Sequence, residues 1–250
     1  MMPIRLSLNP ELNPAGLAEA YSKNGRLQVR DFLREPAAEA ILEALEAQTP
    51  WGLCFNDGDR VVELDADRVA RLTAEERLRI GTGVTEGARS GFQFLYGIYP
   101  LLSAYFNQPH HKSPLFSVYE WLNGEEFLGL MRTVTGIPEI IWADAQATRY
   151  GSGHFLKYHT DETPSQKRLA AYVLNFTKGW GRDWGGYLQF FDESYDIERG
   201  YRPVFNAVNV FTVPAHHSVG MVSSYAPRGR ISITGWLRGD RPPGPIGGRG

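Results

Sequence analysis

The feature that most limits what this chain can fold into is a change of texture near residue 140. From Ile140 onward, short runs of β-branched and aromatic residues alternate with Gly, Pro and Asp turns. The runs read as strands at Ile141–Tyr150, Phe155–Tyr158, Leu169–Asn175, Tyr187–Phe191, Asn209–Val213, Ser218–Val222 and Arg230–Leu237. Many short strands at this spacing point to a sandwich or jelly roll rather than a parallel α/β sheet. The first half is different. Pro14 opens a helix through Leu17 and Tyr21, and Glu35–Ala47 places Ile41, Leu42 and Leu45 at helical spacing in an Ala/Leu/Glu-rich stretch. Thr73 with Glu76 is a capping box, and helices are expected around 100–106, 115–122 and 125–135. A strand is expected at Leu27–Phe32, and a hairpin at Gly52–Leu64 around Asn56-Asp57-Gly58-Asp59. The expected fold class is α+β with a mainly β core: one domain over 1–240, with a mostly helical part at 1–139 and a β core at 140–238. The Pro/Gly-rich tail, 239–250, is expected to be disordered.

Composition narrows the classes of function. The lone cysteine, Cys54, excludes an intrachain disulfide and a cysteine-rich zinc module. A net charge of −2 argues against a nucleic-acid protein that relies on a broad basic face. No apolar run approaches the roughly 20 residues of a membrane span. Met1–Pro14 lacks the layout of a signal peptide, so a soluble, cytoplasmic protein is expected. Any metal would have to be held by the six histidines together with carboxylates.

His159 and Asp161 stand two apart in Tyr158-His159-Thr160-Asp161-Glu162 and share one face if the segment is extended. They can be a hydrogen-bonded pair or two ligands of one divalent ion. His217 is the best third ligand; His216 has the opposite strand parity, and His110 and His111 read as a solvated loop. Two histidines and one carboxylate with open positions suit a non-haem Fe(II) oxygenase. On the last strand Arg230, Ser232, Thr234 and Trp236 share one face, while Ile231, Ile233 and Leu237 share the other. The polar face can meet solvent or line a pocket. A buried arginine there would suit a carboxylate, which guanidinium binds bidentately.

With these motifs in order, Tyr150–Arg238 resembles the catalytic core of the Fe(II)- and 2-oxoglutarate-dependent oxygenases, in their prolyl-hydroxylase branch. The resemblance rests on Phe155-Leu156-Lys157-Tyr158-His159-Thr160-Asp161, Tyr172-Val173-Leu174-Asn175, Trp184-Gly185-Gly186-Tyr187-Leu188-Gln189-Phe190-Phe191, Val213-Pro214 with His217-Ser218-Val219, and Arg230-Ile231-Ser232-Ile233-Thr234-Gly235-Trp236. It implies a double-stranded β-helix, or jelly roll, with the N-terminal helices layered on one face. It implies Fe(II) on His159, Asp161 and His217, with 2-oxoglutarate and O₂ as cosubstrates and ascorbate in support. It implies that Arg230 holds the distal carboxylate, that Thr234 and Tyr150 reach the same cosubstrate, that Ser232 walls the pocket and that Trp236 closes it near the metal. Arg228 is an alternative clamp, since the interval from His217 to Arg230 is longer than in many relatives.

The implied reaction couples decarboxylation of 2-oxoglutarate, which releases succinate and CO₂, to hydroxylation of an unactivated C–H. The motifs are similar to those of ribosomal-protein prolyl hydroxylases and their bacterial relatives. A prolyl residue in a protein is therefore the expected target, with a ribosomal protein as a candidate partner. A free amino acid or small metabolite is the alternative substrate, and a non-catalytic jelly-roll binding protein is the reading from another class. Arg182, Asp183 and Trp184 form either a substrate rim or a packed glycine-rich hairpin. Glu162–Lys167 is a second candidate rim, and Arg89–Tyr96 is either a lid or buried packing.

Overall fold

Asn13 begins the ordered helical layer: its side chain accepts the Gly16 N–H, and Pro14 fills the first position of α1 (Pro14–Ser22). The computed structural model describes residues 4–107 and 112–246. After α1 come β1 (Arg26–Val29), α2 (Glu35–Ala47), the hairpin β2 (Gly52–Asp57) and β3 (Arg60–Leu64), α3 (Ala66–Arg71), α4 (Ala74–Ser90), β4 (Phe94–Tyr99), α5 (Leu101–Asn107), α6 (Leu115–Leu122) and α7 (Glu125–Thr135). The second half supplies β5 (Trp142–Ala143), β6 (Gln146–Tyr150), β7 (Phe155–His159), β8 (Arg168–Asn175), β9 (Leu188–Phe191), β10 (Ile197–Tyr201), β11 (Ala207–Thr212), β12 (His217–Val219) and β13 (Arg230–Arg238).

The strands form one antiparallel sheet in the order β1-β11-β8-β13-β6-β4-β7-β12-β9-β10, with β2–β3 added on β4 and β5 on β13. The sheet curls until its two ends nearly meet. Arg26 of β1 forms an ion pair with Glu198 of β10, and Gln28 donates to the Arg202 carbonyl. The result is a nearly closed, barrel-like jelly roll with helices on its outside. Alternation divides the work of each strand. Tyr172, Leu174, Ile231 and Ile233 face out and join Ile41 and Leu45 of α2 and Phe127 and Met131 of α7 in the main core. Ala171, Val173, Arg230, Ser232 and Thr234 face the barrel interior.

The first half does more than supply a helical layer. Its β4 lies between β6 and β7, so the barrel wall is not complete without it. Gly97 allows the close approach, because a Cβ there would lie 3.2 Å from the Arg149 carbonyl. Helix α4 begins at the expected Thr73/Glu76 capping box and runs to Ser90 through Gly81, Gly83 and Gly87. At Gly87 the missing side chain leaves room for the Gln93 amide.

His110, His111 and residues 247–250 of the tail lie outside the described residues. In the described tail, the Gly239 N–H donates to the Lys167 carbonyl, the Trp142 indole donates to the Asp240 carbonyl, and Ile246 packs against the main core. Among the described residues no helix is long and apolar enough to cross a membrane.

Candidate active site

Antiparallel pairing brings the two imidazoles together. β7 ends at His159, β12 begins at His217, and these residues sit opposite one another in the register. Their rings lie 4.2 Å apart between centroids. Asp161 follows β7 and turns its carboxylate between them, with Oδ1 3.4 Å from His159 Nε2 and Oδ2 3.5 Å from His217 Nε2. One ligand atom from each residue falls within 4.8 Å of the others, a grouping suited to one metal ion. Each histidine is also held by the chain two residues back. His159 Nδ1 lies 2.8 Å from the Lys157 carbonyl, and His217 Nδ1 lies 2.9 Å from the Ala215 carbonyl. Nδ1 is therefore the donor on both rings, and the Nε2 lone pairs face the common point. Burial pulls the His217 pKa down to about 4, so the ring is neutral near pH 7 and able to ligate. Burial acts to raise the Asp161 pKa, but the adjacent imidazoles of His159 and His217 outweigh it and hold the carboxyl below its ordinary value.

The triad opens into a cavity of about 600 Å³ inside the barrel. Arg230, Ser232, Thr234 and Trp236 all line it, so the polar face of β13 points into a pocket and not into solvent. Arg230 is only 2% exposed. Its Nη1 donates to the Gly186 carbonyl at 3.1 Å, its Nε has no partner, and its guanidinium lies 5.3 Å from the centre of the Tyr150 ring. No carboxylate of the described residues pairs with it, and burial lowers its pKa. Burial raises that of Tyr150. An unpaired guanidinium buried beside a three-ligand cluster fits a ligand that carries a carboxylate. The other hydroxyls are already engaged: Ser232 shares a hydrogen bond with Thr148 at 2.9 Å, and Thr234 donates to the Tyr172 carbonyl at 2.9 Å.

Arg228 and the 182–184 segment lie elsewhere. Arg228 lines a separate outer cavity and donates to the Lys178 carbonyl. Arg182, Asp183 and Trp184 do not line the cavity of the three-ligand cluster. The Arg182 carbonyl accepts the Tyr187 hydroxyl, and the Asp183 carbonyl accepts the hydroxyls of Ser223 and Tyr225. Trp184 packs edge-on against Trp180. In the 89–96 stretch, Phe92 stands 5.4 Å from the His159 ring and is 47% exposed at the cavity mouth, while Tyr96 packs at a tilt against Tyr150 deeper inside.

Several lining residues were not singled out in the sequence. Thr148 and Gln146 share the parity of Tyr150 and could have been read from it. Arg168 lays its guanidinium 3.5 Å from the Trp236 ring centre and donates to the Asp161 carbonyl. Cys54 and Glu63 arrive from the β2–β3 hairpin, and no local signal placed them here.

Residues 145–238 match the 2OG-Fe(II) oxygenase superfamily. This part of the chain is a 2OG-Fe(II) oxygenase domain. Membership implies Fe(II), 2-oxoglutarate and O₂, and His159, Asp161 and His217 are the cluster able to hold the iron. The chain is 30% identical over 246 residues to the prolyl 3-hydroxylase OGFOD1 of Mus musculus, covering 88% of this chain and 42% of that protein. It thus spans less than half the length of this relative. Among solved structures, a Pseudomonas putida prolyl-4-hydroxylase has a TM-score of 0.56 at 18% identity, covering 90% of this chain and 98% of that one. A Trichoplax adhaerens prolyl hydroxylase, in complex with a hypoxia inducible factor peptide fragment, has a TM-score of 0.56 at 14% identity, covering 90% and 88%. At these identities the likeness is one of fold.

Proposed function

We propose that this chain is an Fe(II)- and 2-oxoglutarate-dependent dioxygenase that hydroxylates a prolyl residue in a protein or peptide. The observation that carries the reading is the pairing, inside one cavity, of the His159–Asp161–His217 cluster with the buried guanidinium of Arg230, which has no carboxylate partner among the described residues and whose Nε has no hydrogen bond. The prolyl target is supported by the likeness to prolyl hydroxylases. A ribosomal protein as target rests on the motif resemblance alone.

Bound iron, with 2-oxoglutarate and O₂, would supply the oxidative decarboxylation that drives C–H hydroxylation. The chain's own groups prepare the site. His159 and His217 present Nε2 atoms whose orientation the backbone carbonyls fix, and Asp161 adds a carboxylate. Arg230 orients the cosubstrate by binding its distal carboxylate, with Tyr150 beneath the guanidinium. Leu188, Phe211 and Val219 make the wall around His217 apolar and keep water from the reacting centre.

The test is to incubate the protein with Fe(II), 2-oxoglutarate, ascorbate and peptides cut from a proteome, then scan by mass spectrometry for a one-oxygen gain on proline. Hydroxyproline that appears with succinate, and is lost in His159→Ala, is the expected result. Oxygen gain confined to free amino acids or metabolites would replace the prolyl reading.

A further inference from the structure

On its β5/β6 side, the ladder of β13 is interrupted beside the iron cavity, while its pairing with β8 continues. Thr234 pairs with Gln146 of β6, and Leu237 pairs with Ala143 of β5. Between them, Asp144 takes both main-chain groups of Trp236. The Asp144 N–H donates to the Trp236 carbonyl at 3.1 Å, and the Asp144 carboxylate accepts the Trp236 N–H through Oδ1 at 2.6 Å. The Asp144 carbonyl turns instead to the Tyr172 hydroxyl, at 2.7 Å. A Cβ on Gly235 would lie 2.0 Å from that carbonyl oxygen, so the approach depends on glycine.

The carboxylate is held from behind. Arg238 donates through Nη1 to Asp144 Oδ2 at 3.0 Å and forks its other nitrogens onto Asp240. Arg238-Gly239-Asp240 is thus a buckle on this buried pair. On the cavity side, the Trp236 ring lies under the Arg168 guanidinium, and its indole N–H is buried without a partner. A buried ion pair of this kind is poor evidence for a purely stabilising role, because desolvation offsets much of the attraction.

We propose that Asp144 is a positioning residue: it fixes the main chain of Trp236 and so sets the indole wall of the iron cavity for substrate. This role rests on the oxygenase reading above. Asp144 touches neither the ligand cluster nor the cavity; it acts through Trp236.

The test has two readouts. In metal-free protein, the ¹H–¹⁵N indole signal missing from Trp236→Phe identifies Trp236. That signal should move in Asp144→Ala, which removes both acceptors. It should move less in Asp144→Asn, which restores an oxygen for the Trp236 N–H. In the iron-loaded enzyme, Asp144→Ala should raise the KM for a prolyl peptide about tenfold while leaving the KM for 2-oxoglutarate within about twofold, with Asp144→Asn in between. A core truncation remote from the site, Leu45→Ala, controls for lost stability and should produce no such split. If Asp144→Ala does not fold, Asp144→Ser, whose hydroxyl is too short to reach both partners, replaces it. A folded variant that leaves the indole signal and the peptide KM unchanged overturns the proposal, as does an Asn variant as damaged as the Ala variant. If the wild type hydroxylates no peptide, the prolyl reading fails, while the indole comparison still decides the role of Asp144 in placing Trp236.

Discussion

Arg230 is a buried cation with no carboxylate partner among the described residues, which costs stability until a ligand supplies one. Arg230→Met should therefore raise the unfolding free energy of the metal-free protein, by about 1–4 kcal/mol, and abolish the thermal shift produced by 2-oxoglutarate. Urea titration and thermal melts check both halves; a variant that loses stability as well as binding would count against this account. Two other buried groups titrate in opposite senses. The folded pKa of His217, about 4, lies below its ordinary 6.5, so stability from this group falls as pH drops through that window. The folded pKa of Asp144, pushed by burial to about 6, lies above its ordinary 3.8, so its contribution is present below pH 4 and is lost as pH rises through 6. Each effect is on the order of 3 kcal/mol. Asp144→Asn removes the opposing contribution, and the metal-free variant should lose stability more steeply than wild type between pH 6.5 and 4. Equal slopes in urea titrations would show that Asp144 does not titrate there.

At the scale of elements, strand parity made much of the site readable. The alternation along Arg230–Trp236 follows from the two-residue repeat of a strand; the same spacing singled out His159, Asp161 and His217, although Asp161 and His216 lie just outside β7 and β12. Whether the polar face of β13 met solvent or a pocket depended on barrel closure, which no local pattern encodes. The same limit left Trp184 with two readings. Its loop runs next to a cavity-lining strand, yet the ring turns to Trp180. The loop still matters through its backbone. Gly185 has φ +69°, and a Cβ there would lie 1.9 Å from the Met221 carbonyl; the next residue, Gly186, gives its carbonyl to Arg230. Gly185→Ala should therefore cost more than about 2 kcal/mol and weaken 2-oxoglutarate binding together with stability. A melt and a 2-oxoglutarate titration test this, and an unchanged melting temperature would mean that the turn relaxes without strain.

For the whole molecule, the chemistry and the barrel have different boundaries. Every metal and cosubstrate candidate falls between Tyr150 and Trp236, and the family match covers 145–238. The wall that encloses them does not stop there. Strand β4 fills the gap between β6 and β7, β1 covers β11, and Cys54, Glu63 and Phe92 reach the cavity from the first half. The helices contribute as much to the core: Ile41, Leu45, Tyr119 and Phe127 cover the outward side chains of β8, β11 and β13. A fragment of residues 140–250 would expose that apolar face and leave unpaired edges on β6, β7 and β11, the condition under which strands associate with other chains. Such a fragment should be aggregated or unfolded by gel filtration and near-ultraviolet circular dichroism, and should give no thermal response to Co(II) or 2-oxoglutarate. The full chain, by contrast, should gain about 2.7 kcal/mol from either ligand added alone at a hundred times its Kd. A monomeric fragment that binds metal would show that the barrel closes without β4 and β1, and that the first half serves the substrate rather than the fold.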